Sequence, residues 1–343
     1  MRPIALIMLV AVFTLANVLA AAQTTCSPEG CGLSASAIEA NRWPNVQPLR
    51  IDEELLYDRD YRQIEGIFSV HSSPNSLESE TFGPGYTFVT VFEQSGEWTR
   101  VGENQWVKSE ILGDTIPPSR FAGALLPADR QLPYTVAWTL WHLRGSKTPG
   151  GPEAADNPFL YRYTRVYIYA TVEVNGYNWY QIGQNQWVHQ FKVAKLLPVA
   201  KPAEVDTEKW VSVDLYEQVV IAYEGDKPVF ATLVSSGLEE WPTNEGVFHV
   251  YVRFTRTLMS GAYAQPDFYY LQEVPWTMYF DDQIALHGAY WHDGFGFRRS
   301  HGCVNLTVTD AHWLFHWAES EYNYQTGDLV GPAVYVYSSG EYN

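Results

Sequence analysis

A mainly β protein is predicted, on three observations. Two segments repeat the same apolar alternation and glycine-containing turn at a constant offset of 81 residues. From Trp210 onward, short apolar runs bounded by Gly, Pro or Asp follow one another. No strand–helix–strand alternation runs through the chain, so a doubly wound α/β fold is excluded.

Arg2, the apolar run Ile4 to Ala16 and the small residues Ala20-Ala21-Ala22 have the layout of a secretory signal over 1–22. The mature chain is expected to begin near Gln23, with a retained membrane anchor as the alternative. Gln23-Thr24-Thr25 before Cys26 is not a lipoprotein box. Residues 23–45 are turn-rich and read as a loosely held linker. Cys26 and Cys31 flank the turn-forming Ser-Pro-Glu-Gly and are expected to pair in an oxidising compartment. Of three cysteines, that leaves Cys303 as an unpaired thiol.

The repeat lies in Tyr86 to Lys108 (YTFVTVFEQSGEWTRVGENQWVK) and Tyr167 to His189 (YIYATVEVNGYNWYQIGQNQWVH). Trp98 aligns with Trp179, Gly102 with Gly183, and Asn104-Gln105-Trp106-Val107 with Asn185-Gln186-Trp187-Val188. Each copy reads as a hairpin-like unit of a small β-barrel, which predicts modules over 46–115 and 116–200. Gly145 to Pro158 reads as a loop within the second unit, and Lys195 to Glu208 as the linker into a third domain over 201–338. In that domain VSVDL, QVVIAY, PVFATLVSS, VFHVYVRF and TMYF read as strands, and Val334 to Tyr337 closes the sheet. Ala311, Leu314, Phe315 and Ala318 recur at helical spacing, with Thr309 or Asp310 as N-cap. One main helix is therefore expected behind Cys303.

The 343 residues carry a net charge of −17, which excludes a nucleic-acid partner because that needs a basic surface. Tyr and Trp are abundant, as small barrels and sugar or peptide contact surfaces require, and the two readings are not separated by composition.

The chemistry concentrates in Ser300-His301-Gly302-Cys303-Val304-Asn305 and the upstream His287-Gly288. A thiol beside glycine, with an imidazole brought alongside by folding, has the parts of a nucleophile. The imidazole takes the proton, sulfur attacks, and a backbone without a side chain can aim N–H groups at a developing oxyanion. A lone Cys more often simply packs in a core, and a His ending an apolar strand is more often a satisfied core residue; the clustering of the motif favours chemistry. His292 and His301 are rival bases, the first placed at the rim and the second too near Cys303 in sequence to face it. Tyr290-Trp291 read equally as packing or as a wall of the substrate site. Arg298-Arg299 read as solvated charge or as cations that grip a carboxylate or lower the thiol pKa. No His or Cys spacing marks a metal site, and no cofactor is expected.

The run HGAYWHDGFGFRRSHGCVN resembles the signature of L,D-transpeptidase catalytic domains, and the resemblance extends over roughly Asp206 to Tyr337 through Pro242-Thr243 and Glu245-Gly246-Val247-Phe248. Asn305 stands where many family members carry Arg. The resemblance implies Cys303 as nucleophile, His287 as base and the Gly288 carbonyl as its orienting acceptor. It implies an oxyanion hole from the N–H groups of Gly302, Cys303 and His301, and substrate contacts from Ser300, Asn305, Trp291, Tyr290 and Arg299. The implied reaction is acyl transfer on peptidoglycan stem peptides, in cell-wall biogenesis and cell shape, with carbapenem β-lactams as expected inhibitors. The repeats resemble bacterial Src-homology-3-like (SH3-like) modules, read either as wall-binding domains or as rigid spacers. A secreted transpeptidase is the leading expectation; a carboxypeptidase using water and a non-catalytic wall-binding protein are the alternatives.

Overall fold

The computed structural model describes residues 32–40, 46–127, 132–263, 265–319, 321–322 and 329–341. The expected signal segment and the Cys26–Cys31 pair lie outside the described residues. The architecture is mainly β, with two seven-stranded sheets and several smaller ones. The first sheet runs, edge to edge, through Gln47–Pro48, Ala124–Leu125, Lys227–Leu233, Val219–Glu224, Lys209–Asp214, Ala333–Tyr337 and Gly246–His249. Its central strands are buried along nearly their whole length, which is why VVIAY reads as a continuous apolar run, while VSVDL buries Ser212 and Asp214 along with its apolar residues.

The second sheet carries the site. Its order is Val304–Leu306, Ile284–Gly288, Tyr269–Asp281, Tyr86–Val91, Asp60–Ile64 and Leu112–Thr115, with Val252–Gly261 also paired to Tyr269–Asp281. Tyr269–Asp281 is 13 residues long, where only TMYF had read as strand. Pro275 masks the rest, because proline normally marks an edge or a break. The chain accommodates it at an irregularity: partners shift from Met259↔Leu271 to Thr257↔Val274, and Glu273 and Trp276 take φ of 47° and 56°. VFHVYVRF is a second correction. It divides into Gly246–His249 in one sheet and Val252–Gly261 in the other, with Val250 N–H bonded to Pro332 O and Tyr251 N–H to Tyr279 O at the crossing.

The expected helix is Val308–Trp317. Its cap is Thr307, whose hydroxyl accepts from Asp310 N–H at 3.1 Å, so neither Thr309 nor Asp310 serves. Asp310 is turned inward, fully buried, accepting from Gly123 N–H at 2.8 Å and Thr232 Oγ1 at 2.5 Å. A capping-type residue mid-pattern is ambiguous in sequence, since the same carboxylate satisfies either a helix end or a distant backbone.

The repeat persists in three dimensions. Each copy ends in a short 3₁₀ turn, Ser109–Ile111 and Gln190–Lys192, and each tight turn holds an asparagine at positive φ, Asn104 at 51° and Asn185 at 52°. Among the described residues the strands do not close into barrels; they lie in open sheets. In the first unit Tyr86–Val91 pairs parallel to Tyr269–Leu271, which joins the unit to the sheet that carries the site. In the second, Lys195 N–H and Nζ reach the buried Glu217 carboxylate at 2.6 and 3.0 Å, and Trp138 and Leu196 share a core with Trp210 and Phe295. Within the expected linker, Leu33 exchanges both backbone bonds with the Gln181 amide, and Ala35–Ala40 is a short helix.

Candidate active site

His287 and Cys303 arrive on neighbouring parallel strands. Leu286 pairs with Val304 and His287 with Asn305, so Cys303 enters the ladder one residue before its first partner. His287 is only 2% exposed, and its Nδ1 lies 3.1 Å from Gly288 O. A carbonyl only accepts, so Nδ1 carries the proton and Nε2 keeps its lone pair. Burial lowers the His287 pKa to about 4. The ring therefore stays neutral at physiological pH.

Cys303 is half-buried, with Sγ 3.7 Å from Gln283 O. Burial pushes its thiol up to about 11, opposed by the Ala285 backbone. The resting pair is thus thiol and imidazole. A preformed thiolate–imidazolium pair is disfavoured from both sides, since neither charge is solvated.

The loop before Cys303 is held by its own hydrogen bonds. Ser300 Oγ accepts from Gly302 N–H at 3.1 Å and donates to Cys303 O. Thr243 Oγ1 donates to Gly302 O at 2.7 Å while accepting from Gly237 N–H. Gly302 has φ of 114°, a conformation that resists any side chain. Its N–H is given to Ser300 Oγ in this resting arrangement.

One cleft of about 1120 Å³ is lined by Cys303, His287, Trp291, Arg299, Ser300, His301 and Asn305 together. Tyr290 is not among them. It is fully buried, stacked on Tyr61 at 3.5 Å, with its hydroxyl donating to Gln272 O, so its expected substrate contact is replaced by packing. Adjacent residues point to opposite faces here, and Trp291 takes the cleft side, 5.7 Å ring to ring from His287. His301 packs between Trp241 and Tyr269 at 4.2 and 5.0 Å. His292 is half-buried and also lines the cleft: Nδ1 accepts from Gly294 N–H, Nε2 faces the Asn305 amide at 3.0 Å, and desolvation takes its pKa to about 3. Among the described residues no group of three or more His, Cys, Asp or Glu is gathered to hold a metal.

Sequence reasoning missed Tyr269 and the first-unit residues of the cleft. Tyr269 and Tyr279 line a second hollow together with Cys303, and burial raises both hydroxyls. The Tyr269 signal was hidden in the part of the strand before Pro275.

A mainly β fold thus delivers one thiol and one imidazole to a common cleft. Residues 208–336 match the family model of the L,D-transpeptidase catalytic domain (YkuD). A Bacillus subtilis (strain 168) protein named as an L,D-transpeptidase, YciB, is 27% identical over 119 residues, covering 31% of this chain and 59% of the relative. The chain thus spans somewhat over half of that relative's length. Among solved structures, an Enterococcus faecium L,D-transpeptidase is 25% identical, with 38% of this chain and 50% of that one covered and a TM-score of 0.33. A Stackebrandtia nassauensis L,D-transpeptidase is 23% identical, with 42% and 62% covered and a TM-score of 0.32.

Proposed function

We propose that the protein is a secreted L,D-transpeptidase that cross-links peptidoglycan stem peptides through Cys303. The observation that carries this is the delivery of His287 and Cys303 by adjacent parallel strands to one cleft. As the carbonyl of stem residue three meets Sγ, the thiol proton passes to His287 Nε2, so charge forms only as the C–S bond does. The N–H groups of Cys303 and His301 serve the oxyanion, and the Gly288 carbonyl, already bonded to Nδ1, stabilises the imidazolium. His287 then gives its proton to the departing amine of the terminal D-Ala, leaving a thioester. An acceptor amine attacks the thioester, its proton returns through His287 to sulfur, and a three-to-three cross-link remains. No metal or organic cofactor has a part in this scheme. The signal-like segment 1–22 supports an extracytoplasmic site of action, in the periplasm or cell wall.

The test is incubation of the purified protein with tetrapeptide muropeptides, with products read by mass spectrometry. Cross-linked dimer is expected, and Cys303→Ala should abolish it. Tripeptide alone would make the protein a carboxypeptidase, and no turnover would leave a wall-binding protein. A carbapenem should add its mass to wild type and not to Cys303→Ala.

A further inference from the structure

The cleft is not built by residues 208–336 alone. Thr81, Gly83, Pro84, Gly85 and Tyr86 of the first repeat unit also line it. They are fixed there by a continuous join rather than by a surface contact. Tyr86 N–H donates to Phe268 O at 2.9 Å, and Tyr86, Thr87 and Phe88 pair in register with Tyr269, Tyr270 and Leu271. Gly85 lies so close that a Cβ there would stand 2.4 Å from the Phe268 ring and 2.6 Å from its carbonyl. Behind the join, Thr90 N–H donates to Gln272 Oε1, and Arg59 and Arg256 pair with Glu273 and Asp58 across the two parts. The wall is therefore preorganised at the cost of no further ordering on binding.

Two polar groups face this cleft from the two parts. Tyr86 keeps 42% of its surface exposed, its ring edge-on to Phe88 at 4.8 Å. Arg299, from the loop before Cys303, is exposed, lies over Gly294 and lines the same cleft. The Arg299 charge acts on the Tyr86 hydroxyl, opposing the upward pull of burial on its pKa. A phenol donor and a guanidinium fork that converge on one cleft match a carboxylate.

We infer that the first repeat unit completes the substrate site, and that Tyr86 with Arg299 binds a carboxylate of the peptide substrate. The identity of that peptide rests on the transpeptidase reading above; the carboxylate pocket does not. The repeat unit then acts in substrate selection instead of tethering the enzyme to the wall. Tyr86→Phe removes one hydroxyl and leaves the ring and the strand pairing in place.

The test is calorimetric titration of full-length Cys303→Ala, and of the same chain carrying Tyr86→Phe, Arg299→Gln or both, with a stem tetrapeptide. The same peptide amidated at one carboxylate at a time forms the second arm. Each single change is expected to weaken binding about tenfold, the scale of one hydrogen bond to a charged group. The double change should cost less than the sum, and one amidated peptide should be indifferent to both changes. Unchanged affinity in Tyr86→Phe, equal sensitivity of every amidated peptide, or no binding by the unmutated cleft would each overturn the inference. Turnover by wild type is measured alongside. Turnover together with Tyr86-independent binding removes this inference alone; Tyr86-dependent binding without turnover removes the transpeptidase reading alone.

Discussion

At the level of single residues, the two reacting groups are kept uncharged by the same cause, removal from water. A thiol at about 11 beside an imidazole at about 4 makes a specific statement about pH. Iodoacetamide alkylation of Cys303 should rise about tenfold per pH unit from pH 7 towards 10, following the thiolate fraction. A rate that levels off below pH 8 would show a resting ion pair instead. His287→Gln should reduce cross-linking by about a hundredfold or more, because the base and its imidazolium are lost together; single-turnover thioester formation followed by intact mass is the measurement. Gly302→Ala forces a side chain into φ of 114° with Ile284 3.3 Å away, and should cost about 1–3 kcal/mol of stability in denaturant melts, with loss of turnover.

Among the elements, the helix behind the site is tied down by a buried carboxyl. Burial raises the Asp310 pKa from 3.8 to about 6. The folded form holds this proton more tightly than the unfolded chain, so the contribution is complete below about pH 4 and is lost as pH rises through 6. His287 runs the other way: its folded pKa is depressed, so its contribution is present above about 6.5 and is lost as pH falls through 4. The two overlap in one window with opposite signs, and wild type alone will not separate them. Asp310→Asn keeps an oxygen for Gly123 N–H and removes the ionisation. The melting temperature of the variant relative to wild type should therefore increase between pH 4 and 8, by an amount on the order of 1–3 kcal/mol in stability. A flat difference across that range would refute the assignment.

Over the whole molecule, the repeats and the catalytic segment share sheets and cores. Phe88 and Tyr61 pack with Tyr290, Val274 and Ala285, directly behind the strand that carries His287. The second unit holds the loop between His287 and Cys303: Arg162 donates to Asp293 O and Phe295 O, and Tyr163 and Ser119 donate to the Asp293 carboxylate. A chain cut to residues 201–343 would expose the Tyr290 ring and an open edge at Tyr269–Leu271. It should elute as aggregate and lose its cooperative melt, whereas a chain beginning at Gly32 keeps both; size exclusion and calorimetry decide it.

The β class, the motif that puts His287 and Cys303 in one cleft and the repeat at an offset of 81 residues were all legible in the linear order of residues. Each is a local matter: alternation, a short motif or a recurring turn is complete within a few tens of residues. What became of Asp310, Tyr290, Pro275 and the repeats was settled only by folding. A capping-type carboxylate found a distant amide, a neighbour of the cleft turned to the core, a proline was absorbed into a long strand, and edge strands paired with another part of the chain instead of closing on themselves. Each of these outcomes depends on which long-range partner satisfies a buried polar group or an open sheet edge, and a contact between residues some 180 positions apart, such as Tyr86 with Tyr269, leaves no mark on the residues near either one.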